Sequence, residues 1–258
     1  MRKMKLIPVI VLVLVCRALG DDATDPLVKR VSDQVSAFLD QFSEVKCSEQ
    51  VTQEKLGKEG KTEVKETSTY DYLVILTNAG GELSLDESRL AVHPAKTDGK
   101  NTSMLVSNGF ATLFLIFHPY YLNSFRFTDL GQESMDGHPL TKIGFQHVIG
   151  ARSPAALSLR GREYPLELSG TAWVDAQTGV IEKMVADAGS SLEDVGVKTL
   201  HSEMDYAPVP FRDQKQVYWF PLQARVEVET GRQHWRNTHR FSDYKQFSVN
   251  TEEQVAKQ

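Results

Sequence analysis

From residue 70 onward apolar residues recur at every second position, and this period limits what the chain can fold into more than any other feature. Tyr70, Tyr72, Val74 and Leu76 fall on one face of a strand and Leu73 and Ile75 on the other, so its centre is expected to be covered on both sides. A turn at residues 78–81 leads into Leu83 and Leu85. The same grammar returns at 171–174, with a turn at 175–179 and a second strand at 180–186. Further strands are predicted at 125–130, 140–148, 198–206 and 217–222. Near the C-terminal end Ala224, Val226, Val228 and Thr230 alternate with Arg225, Glu227 and Glu229. With Gly231 and Arg232 as a two-residue turn, glycine first, Val228 faces Trp235 and Glu227 faces Arg236. This register sets apolar on apolar and acid on base, and a slip by one residue would lose both matches.

Two segments follow a helical period instead. Asp25 and Pro26 suit a helix start, because the carboxylate can accept from free amides and proline fits the first turn. Leu27, Val28, Val31, Val35, Phe38, Leu39, Phe42 and Val45 then recur at three- and four-residue steps, predicting an amphipathic helix over 26–45. Ser107 or Asn108 can cap a second helix through Phe110, Leu113, Phe114, Leu115, Ile116 and Phe117, which Pro119 ends near His118. A buried strand, apolar all round, is the alternative there. Residues 57–67, with Gly57, Gly60 and alternating Lys and Glu, read as an exposed turn. No βαβ unit, internal repeat or linker interrupts the meander, so residues 21–258 are expected to form one α+β domain.

The first twenty residues read as a secretory signal peptide. Arg2, Lys3 and Lys5 precede an apolar run at residues 6–16, and small residues at Ala18 and Gly20 predict cleavage after Gly20. The run is well short of the roughly 20 residues a membrane-spanning helix needs. Cys16 offers an alternative, lipidation into an outer-membrane lipoprotein, although Val15 stands where that signal wants a small residue. Loss of this segment removes Arg2, Lys3, Lys5 and Arg17 and no acid, taking the formal charge from -5 to -9. A periplasmic or secreted, clearly acidic protein is a poor partner for nucleic acid or anionic lipid. Cys47 would then be the single cysteine, which excludes an internal disulfide. It is a nucleophile, an intermolecular bridge, or simply a small residue at a strand start. Asn101, Thr102 and Ser103 fit a glycosylation sequon, relevant only in a eukaryotic host.

No nucleophile elbow, phosphate loop, HExxH or dinucleotide fingerprint is present, so no catalytic residue, metal or cofactor is predicted. His234 and His239 are five apart on a strand and project to opposite faces, which rules out chelation of one metal. His93, His118, His138, His147 and His201 are scattered and read as turn or surface histidines. Glu227 and Glu229 share a strand face, as do Glu203 and Asp205. Such pairs fit a solvated sheet surface better than an acid/base dyad, with no apolar pocket in view to raise one pKa. What stands out is the aromatic stock. A long antiparallel sheet with two helices cannot cover its concave face by helices alone, so a curved, unclosed half-barrel with an apolar hollow is expected. Phe110, Phe114 and Phe117, with Trp173 and Trp235, are the candidate hollow wall, core packing being the plainer reading of each.

The order of signal, leading helix, strands, aromatic helix and closing meander resembles the periplasmic lipoprotein-carrier superfamily (LolA/LolB-like). Local phrases carry the likeness across residues 26–249: FRFTDLG at 125–131, DGHPL at 136–140, GTAWVD at 170–175 followed by TG at 178–179, and WFPL at 219–222. The resemblance implies an unclosed barrel with helices as a lid over an apolar cavity that receives the acyl chains of lipoproteins. The carrier's cavity arginine has no evident counterpart, and residues 152–162 read as an extra loop. Three functions follow as expectations: a non-catalytic carrier or sensor for acyl chains or lipoprotein, a periplasmic protein-interaction or structural module working with an envelope partner, and a secreted hydrolase with a dispersed site.

Overall fold

In the computed structural model the described residues are 21–79, 82–93, 105, 107, 109–159, 162–211 and 217–246. The signal segment, Cys16 and the sequon at 101–103 lie outside them. Among the described residues, twelve strands follow a leading helix, α1 (Asp21–Phe42). They are β1 (Val45–Leu56), β2 (Thr62–Ala79), β3 (Glu82–His93), β4 (Phe125–Met135), β5 (His138–His147), β6 (Ala156–Leu159), β7 (Arg162–Pro165), β8 (Leu168–Val174), β9 (Ile181–Ala188), β10 (Val197–Val209), β11 (Tyr218–Thr230) and β12 (His234–Gln246). Ten of them form one sheet in the order β3-β2-β1-β12-β11-β10-β9-β8-β5-β4, and every described pairing is antiparallel. The two ends of that order do not pair, so the curved sheet stays unclosed. The extra loop expected at 152–162 is instead the start of a separate hairpin, in which β6 and β7 pair from Ala156 with Pro165 to Leu159 with Arg162.

The last hairpin has the expected register, with Val228 opposite Trp235 and Glu227 opposite Arg236. Its turn is built differently: Gly231 does not take a positive φ. Thr230 organises the turn by accepting from the backbone N–H groups of Arg232 and Gln233 at 3.3 and 3.0 Å. In the 175–179 turn Asp175 Oδ1 accepts from Gln177 N and Thr178 N, and Gly179 adopts φ +78. A Cβ on Gly179 would lie 2.8 Å from the Arg30 carbonyl oxygen, so the missing side chain lets this turn approach α1.

Several elements depart from the sequence reading. Helix α1 starts at Asp21, so Pro26 lies inside it, and it ends at Phe42, leaving Val45 to open β1. Proline is tolerated so near a helix start because its ring meets only the carbonyl of a terminal turn. Residues 62–67 belong to β2, their polar side chains matched across β1 as in Glu54 with Lys65. The centre of β2 is covered on one face only: Tyr72 and Val74 are buried but Ile75 is 47% exposed. The aromatic segment is a 3-10 helix, Phe110–Phe117, followed by the single turn α2 (Pro119–Leu122). Gly109 at φ +80 precedes it, and Ser107 makes no cap there. So long a 3-10 helix is held by its surroundings, since Leu113 to Phe117 are all buried and no polar face asks for the wider α-helical turn. His147 is buried, correcting its reading as a surface residue.

Candidate functional site

Alternation sends one set of side chains to the concave face: Cys47, Glu49 and Val51 of β1, Asn237, His239 and Phe241 of β12, Ala224, Val226 and Val228 of β11, and Met204 and Tyr206 of β10, all buried. Helix α1 and the 110–117 helix lie over this face. Phe38 and Phe42 of α1, Phe114 and Phe220 of β11 form an aromatic cluster with centroids 5.0 to 6.1 Å apart. Edge-to-face pairs of this kind add about 0.5–1.5 kcal/mol each beyond area burial. At the rim, between Val35 and Phe38 on one side and Ile181, Tyr206 and Trp219 on the other, a cavity of about 30 Å³ remains. Pockets that enclose a drug-sized ligand run to about 300–1,000 Å³. Among the described residues the hollow is therefore filled by its own aromatic lid.

Phe114 and Phe117 are both buried under the lid, though in neighbouring clusters, since Phe117 meets Phe127 and Phe145 at 5.0 and 6.3 Å. The Phe110 side chain lies outside the described residues. Trp173 sits on the opposite, convex face, because Ala172 and Val174 take the inward positions of β8. There it donates to Glu133 at 3.3 Å and packs under Lys183. Trp235 is inward and half-buried against the core, and its Nε1 is buried with no hydrogen-bond partner among the described residues. The convex face is otherwise ionic. Arg225 and Arg236 both hold Glu227, whose carboxyl is pushed up by burial but drawn down further by these hydrogen bonds, to about 2. Among the described residues no cluster could hold a metal, and no helix is long and apolar enough to cross a membrane.

A second feature of the concave face has no precedent in the sequence reading. Glu49 is wholly buried, yet burial is outweighed by hydrogen bonds from His239 and Arg89, which hold its carboxyl below the usual range. Arg89 crosses the Tyr72 ring to reach it and also binds Glu87, which accepts from the Tyr72 hydroxyl at 2.9 Å. On the far side His239 Nδ1 lies 2.8 Å from Glu49, and its Nε2 lies 2.7 Å from Ser107 Oγ. Asn237 Nδ2 donates to Ser107 Oγ and to the Leu105 carbonyl, both at 2.8 Å. The network pins Leu105 and Ser107 onto the sheet. Cys47, two residues from Glu49, is buried, and burial pushes its thiol up to about 12, which leaves it a small core residue.

No family model matches this chain, and no curated protein matches it. Among solved structures it is similar to a DUF1329 family protein from Desulfovibrio piger, with 15% identity and a TM-score of 0.40 over 87% of this chain and 92% of that one. A putative outer membrane lipoprotein-sorting protein domain from Vibrio parahaemolyticus gives 11% identity and a TM-score of 0.39 over 87% and 94%. The lipoprotein LppX of Mycobacterium tuberculosis gives 11% identity and a TM-score of 0.22 over 88% and 98%.

Proposed function

We propose that this chain is an exported carrier or sensor that takes up an acyl chain, alone or on a lipoprotein, between the concave sheet face and its two helices. The observation that supports it is how α1 is held. Its inward side chains are Val28, Val31, Val35, Phe38, Leu39 and Phe42, and among the described residues the polar tie from α1 to the sheet's turns is one hydrogen bond from Arg30 to the Ala176 carbonyl. A lid held by apolar contact can exchange those contacts for a ligand. Six such side chains are worth about 1.5–3 kcal/mol each, and about a dozen buried methylenes at roughly 0.8 kcal/mol each supply a similar sum. An acyl chain can thus replace what lifting the lid loses. Signal-like residues 6–16 support a role outside the cytoplasm.

The filled hollow favours one other reading, a structural or interaction module whose concave face is only core. Native mass spectrometry and uptake of a fluorescent fatty acid separate the two. The carrier reading predicts one saturable site per chain, displaced by unlabelled fatty acid. A protein that is purified lipid-free and takes up no probe is the module.

A further inference from the structure

Ser107, His239 and Glu49 come from distant parts of the chain and form a continuous relay, and its neighbours fix the direction of every hydrogen. Two nitrogens of Arg89 donate to Glu49 at 2.5 and 2.9 Å, so the ionised carboxylate can only accept. His239 Nδ1 therefore carries the imidazole hydrogen, and Nε2 presents a lone pair to Ser107. Asn237 Nδ2 already donates to Ser107 Oγ, so the hydroxyl turns its own hydrogen to Nε2. A hydroxyl, a base within hydrogen-bond reach and a buried acid that orients the base are the parts an activated nucleophile needs.

Two unused polar atoms occupy the same strand face. Asn237 Oδ1 and Trp235 Nε1 are both buried without a partner among the described residues. Positions 235, 237 and 239 of β12 point the same way, so this orphaned acceptor and orphaned donor share the strand face of the relay, both toward the 231–233 turn from His239. Leaving such an atom unpaired costs about 1–3 kcal/mol. A carbonyl oxygen for the indole N–H and an O–H for the amide oxygen would satisfy both. An ester under attack by water or an alcohol supplies that pair.

We propose that Ser107 is the nucleophile of an acyl-transfer site for carboxylic esters, with His239 as general base and Glu49 positioning the imidazole. Ser107 Oγ bonds to the carbonyl carbon as its proton passes to His239 Nε2. The bond from that carbon to the alkoxy oxygen then breaks, and the alcohol leaves with the proton. Water attacks the acyl-serine through the same base, so ester and water become acid and alcohol and the serine is restored. The nucleophile stands on the relay alone, whereas the choice of a long-chain acyl ester rests on the carrier reading. Ser107 is 7% exposed, and Gln53 and Asn237 both hold the Leu105 carbonyl, so the ester has to reach Oγ with the 2.7 Å Ser107–His239 contact in place.

The test treats the purified full chain with a short-chain and a long-chain alkyl fluorophosphonate and maps the adduct by intact-mass and peptide mass spectrometry. The expected result is one adduct on Ser107, absent in Ser107→Ala and formed at least about 100-fold more slowly in His239→Gln. Absence of an adduct, labelling elsewhere, or a rate unchanged in folded His239→Gln overturns the proposal. If His239→Gln does not fold, loss of 4-nitrophenyl ester hydrolysis in Ser107→Ala supports the proposal, and unchanged hydrolysis overturns it. Equal rates with both probes overturn only the long-chain assignment. Labelling without fatty-acid uptake overturns the carrier reading and leaves the nucleophile standing.

Discussion

The Arg89 guanidinium and the Glu49 carboxylate meet through two hydrogen bonds, 2.5 and 2.9 Å long, although the Glu49 side chain has no solvent exposure at all. A pair this deep costs desolvation and repays it only while both members and their further partners are present. Removing one leaves the other as an uncompensated buried charge. Arg89→Ala is expected to destabilise the fold by about 3–5 kcal/mol in urea denaturation. Arg89→Lys is expected to recover only part of this, since an ammonium cannot reproduce the two-pronged contact.

On the convex face, Glu227 and His201 predict opposite pH dependences. Glu227 is depressed to about 2, below its ordinary value, so it stabilises the fold above about pH 4.5 and loses that contribution as pH falls toward 2. His201 is shifted the other way: burial lowers its pKa, but Asp187 and Glu203 raise it further. Its contribution is complete below its ordinary value and is lost as pH rises through the raised one. Melting temperatures across pH 2 to 9 should show Glu227→Gln flattening the acid limb and His201→Asn the neutral-to-alkaline one. A variant curve parallel to wild type would refute the corresponding assignment.

Phe114 and Trp173 were candidates for the same wall, and the structure sets them on opposite faces. Phe114→Ala empties a fully packed position and is expected to cost about 3–5 kcal/mol, with Phe114→Asp unfolding the lid. Trp173→Ala removes a partly exposed ring under Lys183 and is expected to cost under about 1 kcal/mol, with fatty-acid uptake unchanged. Chemical denaturation together with an uptake titration checks both.

Cys47 is predicted to be silent toward a soluble disulfide reagent at pH 8 in the native protein, because its thiol is buried and raised to about 12. Full reaction should appear only in denaturant. Rapid native labelling would mean that the α1 end of the sheet opens readily.

What was legible in the sequence was what local pattern encodes. The pairs Val228 with Trp235 and Glu227 with Arg236 follow from alternation and one turn, and the α1 stripe follows from its spacing. A strand start was legible at Cys47, but the course of β1 was not, because its inward series is Val45, Cys47, Glu49 and Val51, and the acid breaks the apolar alternation at the position that builds the polar network. Ser107 looked like a helix cap because local rules favour serine there, whereas its partner His239 is 132 residues away and leaves no local trace. Trp173 shows the reverse error. Ala172 and Val174 already claimed the inward positions, so parity placed the tryptophan outside despite its size.

A ligand is expected to enter only when α1 lifts from the sheet, and a reversible staple tests this. Arg30 reaches the Ala176 carbonyl, so cysteines at these two positions can be joined by a short, cleavable thiol cross-linker while buried Cys47 stays unreactive. Fatty-acid uptake measured before linking, after linking and after cleavage should fall to background in the linked state and return on cleavage. Undiminished uptake by the fully linked protein would show that a ligand enters without α1 lifting.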